Sequence, residues 1–111
     1  MTTAEELFNK GIELFNDGNY YDAMTNFTKS YNESGNTRSL FYSAEATFQF
    51  AKVYLKDNCL SGWEDFSKSA LSKFELCVQY TTSSEIRQKA TERINLIEEL
   101  TKKVDELVGN K

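Results

Sequence analysis

Apolar residues recur every three or four positions along most of the chain, the period of amphipathic helices. From Thr3 to Asn16, Leu7, Phe8, Gly11, Leu14 and Phe15 share this spacing, and Thr3 followed by Glu6 has the form of a capping box. Asn16-Asp17-Gly18-Asn19 stops the helix, with Gly18 placed to adopt the left-handed conformation of a tight turn. A second helix is predicted from Tyr20 to Asn32, with Tyr20, Ala23, Phe27, Ser30 and Tyr31 on one face, broken by Ser34-Gly35-Asn36-Thr37. A third runs from Arg38 to Lys56 with Leu40, Phe41, Ala44, Phe48, Ala51 and Tyr54 or Leu55 in its stripe. Lys56-Asp57-Asn58 ends it, and Ser61-Gly62 reads as further irregular chain. The fourth is predicted from Trp63 to Tyr80, carrying Phe66, Ala70, Phe74 and Cys77. After the polar turn Thr81–Ser84, with Ser83 or Ser84 as cap, the fifth covers about 84–108. Ile86, Ala90, Ile94, Ile97, Leu100 or Thr101, Val104 and Leu107 or Val108 make a single stripe there, so one side is covered and the other faces water.

Composition sharpens this picture in three ways. The 111 residues contain no proline, where average usage of about 5% would give five or so, so the main helix breaker is missing. With no Pro/Gly-rich linker and no low-complexity segment, residues 1–111 read as one all-α domain. Eight Phe, six Tyr and one Trp supply the large side chains of its core. A net charge of −4 opposes a broad phosphate-binding surface and adsorption to anionic membranes, so no nucleic-acid partner is expected. No apolar run approaches the roughly 20 residues of a membrane span, and Met1–Lys10 lacks the basic and apolar blocks of a signal peptide. A cytoplasmic protein without membrane insertion is the expectation. Two cysteines and no histidine cannot form an ordinary structural zinc site. In a reducing cytosol Cys59 and Cys77 are expected as free thiols, Cys77 inside an apolar stripe and Cys59 in a turn.

The segment Leu7 to Gly35 resembles one tetratricopeptide repeat. Leu7, Gly11 and Leu14 match first-helix positions of that family, and Gly18 and Tyr20 match the turn and the aromatic after it. Ala23 and Phe27 match the small and large second-helix positions, Ser30 stands where alanine is usual, and Gly35 where proline often stands. Gly11 and Ala23 would let two backbones approach while Tyr20 and Phe27 fill the remaining space. A looser second copy spans Phe41 to Tyr80: Ala70, Phe74 and Cys77 repeat the spacing of Ala23, Phe27 and Ser30 at an offset of 47 residues, against a usual repeat of about 34. Its first helix has two registers, one on Ala51 and Tyr54, the other on Phe41, Ala44 and Phe48. The resemblance implies about five helices in antiparallel pairs, with a first repeat over about 4–36, a second over about 38–80, and the fifth helix capping a short right-handed superhelix.

The resemblance also implies a function. A concave face lined by first helices would hold a peptide or helix of a partner protein, with Glu5, Phe8, Ile12 and Asn16 facing the groove; Phe15 faces it too or lies beneath the third helix. A subset of the family grips chaperone carboxyl termini through Lys and Asn where this chain has Phe8 and Ile12, and neither side chain offers the charge-assisted donors a carboxylate needs. The expected role is therefore a noncatalytic adaptor for another partner, without a cofactor. With no histidine and no phosphate-cradling glycine loop, an enzyme is not expected; Glu5-Glu6 and Glu98-Glu99 read as solvated helix faces. Two alternatives stand beside it. A microtubule-interacting and transport-like bundle would also capture helical peptides, and Ile86-Arg87-Gln88-Lys89-Ala90 resembles its last helix. A self-associating helical protein would use Ala90, Ile97, Leu100, Val104 and Leu107 as a seam, interrupted by Arg93. A monomer or weak homodimer follows from these readings.

Overall fold

A computed structural model describes residues 2–109, and these form five α-helices with no strand among the described residues. The helices are α1 (Ala4–Asn16), α2 (Tyr20–Ser34), α3 (Thr37–Lys56), α4 (Leu60–Tyr80) and α5 (Ser84–Gly109). Each packs on the next in sequence, and α3 also touches α5. The extents of 52 × 28 × 18 Å and a radius of gyration of 14.4 Å describe a longer body than the about 13 Å of a compact domain this size. None of the described helices is long and apolar enough to cross a membrane.

Local chemistry accounts for the helix ends. The Thr3 hydroxyl accepts from the Glu6 amide and donates to the Glu6 carboxylate, both at 3.1 Å, which closes the first turn of α1. Gly18 and Gly35 take φ of +81° and +68°, so both turns use glycine where a side chain would be strained. Asn36 caps α3 by accepting from the Arg38 amide at 2.9 Å, and Ser83 caps α5 by accepting from the Ile86 amide at 3.2 Å. The expected start of α4 at Trp63 is corrected to Leu60. The break falls on Asn58, at φ +60°, and Gly62 lies inside the first turn with the Tyr54 ring over its backbone.

Two apolar clusters form the interior. Phe8, Ala23, Phe27 and Ala46 make the first, with Ile12, Leu14, Phe15, Met24 and Tyr42 packed around them. The second is larger and centres on Phe48, Trp63, Phe74, Cys77, Ala90 and Ile97. Gly11 lies so close to Phe27 that a β-carbon there would sit 2.7 Å from two ring carbons. Phe74, which repeats the spacing of Phe27, packs its ring on Phe41 with centroids 5.6 Å apart. Burial pushes the Cys77 thiol up to about 12, which leaves it an inert core residue; Cys59, at the turn before α4, is also a free thiol.

Polar groups complete the α2–α3–α4 interface. The ammonium of Lys73 donates to Ser43 Oγ and Thr47 Oγ1, each at 3.1 Å, Thr47 donates to the Ser43 carbonyl, and Ser43 and Thr28 share a 2.8 Å hydrogen bond. Ser43 and Thr47 are fully buried, and no carboxylate pairs with Lys73 among the described residues. Burial holds the Lys73 ammonium below the usual lysine value.

Three outcomes are expected. Gly11→Ala should cost about 1–3 kcal/mol in urea denaturation, because the Phe27 ring is boxed in by Phe8 and Tyr42 and cannot yield. Gly62→Ala should cost a similar amount, because a β-carbon there would run into Cδ1 and Cγ of Tyr54, whose ring is held by Phe50 and Phe66. Lys73 binds its proton less tightly when folded, so the unfolded chain holds more protons as pH rises from the lowered value toward 10.5. Stability of the wild type relative to Lys73→Met should therefore increase across that window. A flat difference would show an ammonium that folding does not desolvate.

Candidate functional site

The opposite side of α3 faces a cavity of about 500 Å³ lined by Phe15 of α1, by Phe41, Tyr42 and Glu45 of α3, and by Lys89, Glu92, Arg93 and Leu96 of α5. Helical geometry places these residues together. Phe41, Tyr42 and Glu45 fall within one turn of α3, while Lys89, Glu92, Arg93 and Leu96 recur every three or four positions on α5. A recess of about 250 Å³ shares Phe41, Tyr42 and Lys89 and extends the cavity toward Arg38, Ser83, Glu85 and Ile86. Beyond Arg38 a third recess, about 350 Å³, is bounded by Glu5 and Phe8 of α1 together with Ser34, Asn36 and Ser39. Phe41, Tyr42 and Lys89 join the first two into one trough, while Arg38 alone borders both it and the third recess, which Ser30 and Ser34 of α2 also line.

Its floor is aromatic. Tyr42 packs against Phe8 edge-on at 5.4 Å, against Phe27 at 5.5 Å and against Phe41 at 5.7 Å, which fixes the ring that separates α1 from α3. Its middle is ionic. Arg93 donates Nε and Nη2 to Glu45 Oε2 at 3.1 and 2.8 Å, and its guanidinium also lies 5.4 Å from the centre of the Phe48 ring. Glu45 Oε1 is buried without a hydrogen-bond partner among the described residues. At the rim Lys89 pairs with Glu85 at 2.9 Å; this contact raises the lysine value and lowers that of the carboxyl group. The Arg38 guanidinium lies 4.3 Å above the Phe8 ring and makes no ion pair among the described residues.

The residues expected to face a groove are only partly brought together. Glu5 is exposed and shares the Arg38 recess with Phe8. Phe8 is only 8% exposed, because Phe27, Tyr42 and Arg38 surround its ring. Ile12 is half-buried against the first cluster, and Asn16 lies exposed at the end of α1. Phe15 lines the cavity and meets Tyr20 edge-on at 5.3 Å. Of the packing positions, Gly11, Ala23 and Phe27 meet in the first cluster, and Ala70, Phe74 and Cys77 lie fully buried in the second. Leu7, Leu14 and Tyr20 are half-buried, and Gly18 is exposed in its turn. The residues not anticipated are Arg38, Phe41, Tyr42, Glu45, Lys89, Glu92, Arg93 and Leu96 as cavity lining. Two signals were available for them: Glu45 lies one position from the apolar stripe of α3, and Arg93 interrupts the seam of α5.

No family model, curated protein or solved structure matches the chain. Among the described residues no group of three or more Cys, Asp or Glu side chains could hold a metal ion. The trough offers apolar contact area, two ion pairs and, at its rim, charges that make no ion pair among the described residues.

Glu45→Ala should cost about 1–3 kcal/mol, because it leaves a guanidinium whose side chain is 32% exposed without its carboxylate. Glu45→Met combined with Arg93→Met should recover much of that loss. Breaking the Lys10–Glu13 pair, 60% and 70% exposed, should cost at most about 1 kcal/mol. Urea denaturation of the variants checks the ranking.

Proposed function

We propose that this chain is a noncatalytic, tetratricopeptide-repeat-like adaptor that holds a peptide or helix of a partner protein in the trough between α1, α3 and α5. The observation that carries this reading is that the 500 Å³ cavity is lined solely by the odd-numbered helices. In such repeats the first helix of each pair lines the concave face, so alternate helices contribute to one surface.

Pairing contacts support the same architecture. Ser30 of α2 donates to the Ala4 carbonyl while Phe27 meets Gly11, and Thr37 of α3 donates to Thr81 just past α4 while Tyr54 meets Gly62. Contacts that run in opposite directions along each pair are those of antiparallel hairpins. The Phe41–Phe74 contact favours the second-repeat register built on Phe41, Ala44 and Phe48. On this reading α5 caps the array: Ala90 and Ile97 are buried in the core, and Leu107 and Val108 are the strongly exposed members of its stripe. Burial of Ala90 and Ile97, the first half of the seam, favours a monomer over a coiled-coil dimer. A cytoplasmic location agrees with two free thiols.

Panning a library of random twelve-residue peptides against the protein tests this reading. Selected peptides should bind Lys89→Glu, a variant at an exposed rim position, about tenfold more weakly than wild type. Tyr80→Asp, exposed and outside the trough, should bind them normally. Equal loss or no loss in both variants would refute the trough as the binding surface.

A further inference from the structure

Taking that adaptor reading as its premise, we infer that the trough selects a partner segment with a carboxylate at one end, apolar residues in the middle and a cationic side chain at the other. The inference comes from which of its charges remain unpaired. Lys89 is neutralised by Glu85 and Arg93 by Glu45. Arg38 and Glu92 make no ion pair among the described residues, and the only side-chain bond to Glu92 is a 3.4 Å donation from Gln88. Both residues are exposed, so both charges face whatever enters.

The two charges mark different levels of the trough. Arg38 lines the recesses at the start of α3. Glu92 lines the main cavity next in sequence to Arg93, whose guanidinium reaches Glu45, seven residues past Arg38 along α3, a rise of about 10 Å. Phe15 and Tyr42, both half-buried, lie in this part of the trough and present ring surface to apolar side chains, with Phe41 buried beneath. An occupant that matches both charges therefore spaces its acid and base by about seven residues of helix or three of extended chain.

Arg38 is also pre-positioned. Its guanidinium carbon lies 4.3 Å from the centre of the Phe8 ring, and a guanidinium can donate two parallel bonds to a carboxylate. No such ordering is needed at Glu92, where an exposed carboxylate receives a lysine or arginine as a point charge. Glu5 borders the Arg38 recess without pairing to it, so its negative charge weakens an acid bound there.

A charge-swap experiment tests the inference. Twelve-residue peptides selected on the wild type are measured by fluorescence anisotropy against the double variant Arg38→Glu/Glu92→Lys, whose net charge is unchanged and whose helicity is verified by circular dichroism. Binding should fall about tenfold or more, and a peptide with its acid changed to lysine and its base to glutamate should bind the double variant as the parent binds wild type. Glu5→Gln should strengthen the parent peptide about threefold. Parent binding that survives the swap, or a swapped peptide that fails to recover, overturns the charge assignment while Lys89→Glu sensitivity still upholds the trough. Selection of no peptide sensitive to Lys89→Glu overturns both.

Discussion

Everything in this fold is arranged around α3, which carries more buried residues than any other described helix. α3 is packed by α2, α4 and α5, and its buried residues are Ser39, Leu40, Phe41, Ser43, Ala44, Ala46, Thr47, Phe48 and Ala51. A helix covered over so much of its surface admits neighbours only where its side chains are small, so alanines, serines and a threonine alternate with three large residues. The hydroxyls are tolerated because each finds a partner: Ser39 with Ser30, Ser43 with Thr28, and Thr47 with the Ser43 carbonyl. Lys73 then lays a cation across that row and accepts the loss of hydration that follows. The same close approach appears at Gly11 under Phe27 and Gly62 under Tyr54, where the missing β-carbon makes room for a ring.

That arrangement explains which parts of the fold were legible in the sequence. Five helices, their glycine turns and the Thr3 cap follow from local rules, because capping and left-handed turns are decided by residues three or four positions apart. The start of α4 was hidden because Gly62 reads as a breaker, whereas here it accommodates the Tyr54 ring, a contact invisible without the packed helix. Ser39, Ser43 and Thr47 stand outside the apolar stripe of α3, and their burial has no local signal. Nothing in their own segment announces that hydroxyls on α2 and a lysine on α4 will meet them.

The candidate site was less legible than the fold. Phe8 and Ile12 were expected to face a ligand because of their place in the repeat motif, yet aromatic neighbours from α2 and α3 close around Phe8 and the first cluster holds Ile12. The lining comes mainly from α3 and α5, helices separated in sequence by the whole of α4. Arg93 shows how such a site could be noticed. A guanidinium within an apolar stripe is either a flaw in a coiled-coil seam or evidence of a carboxylate on a facing helix, and Glu45 is that carboxylate.

The Arg93–Glu45 pair also decides what α5 is able to do. Its stripe has the periodicity for pairing with another helix, but Ala90 and Ile97 are spent on the core and the ion pair ties the polar edge of the stripe to α3. Fixing α5 in this way holds Lys89, Glu92 and Leu96 at a set distance from Phe41 and Tyr42. A recognition surface gains affinity when its parts are ordered before the ligand arrives, since less side-chain and backbone freedom is lost on binding. Here the order comes from both ends: Tyr42 is held among Phe8, Phe27 and Phe41, and Arg93 between Glu45 and Phe48. Arg38 and Glu92, which with Glu5 make no ion pair among the described residues, stand on helices already fixed by those contacts; under the proposed reading, discrimination between ligands falls to these two.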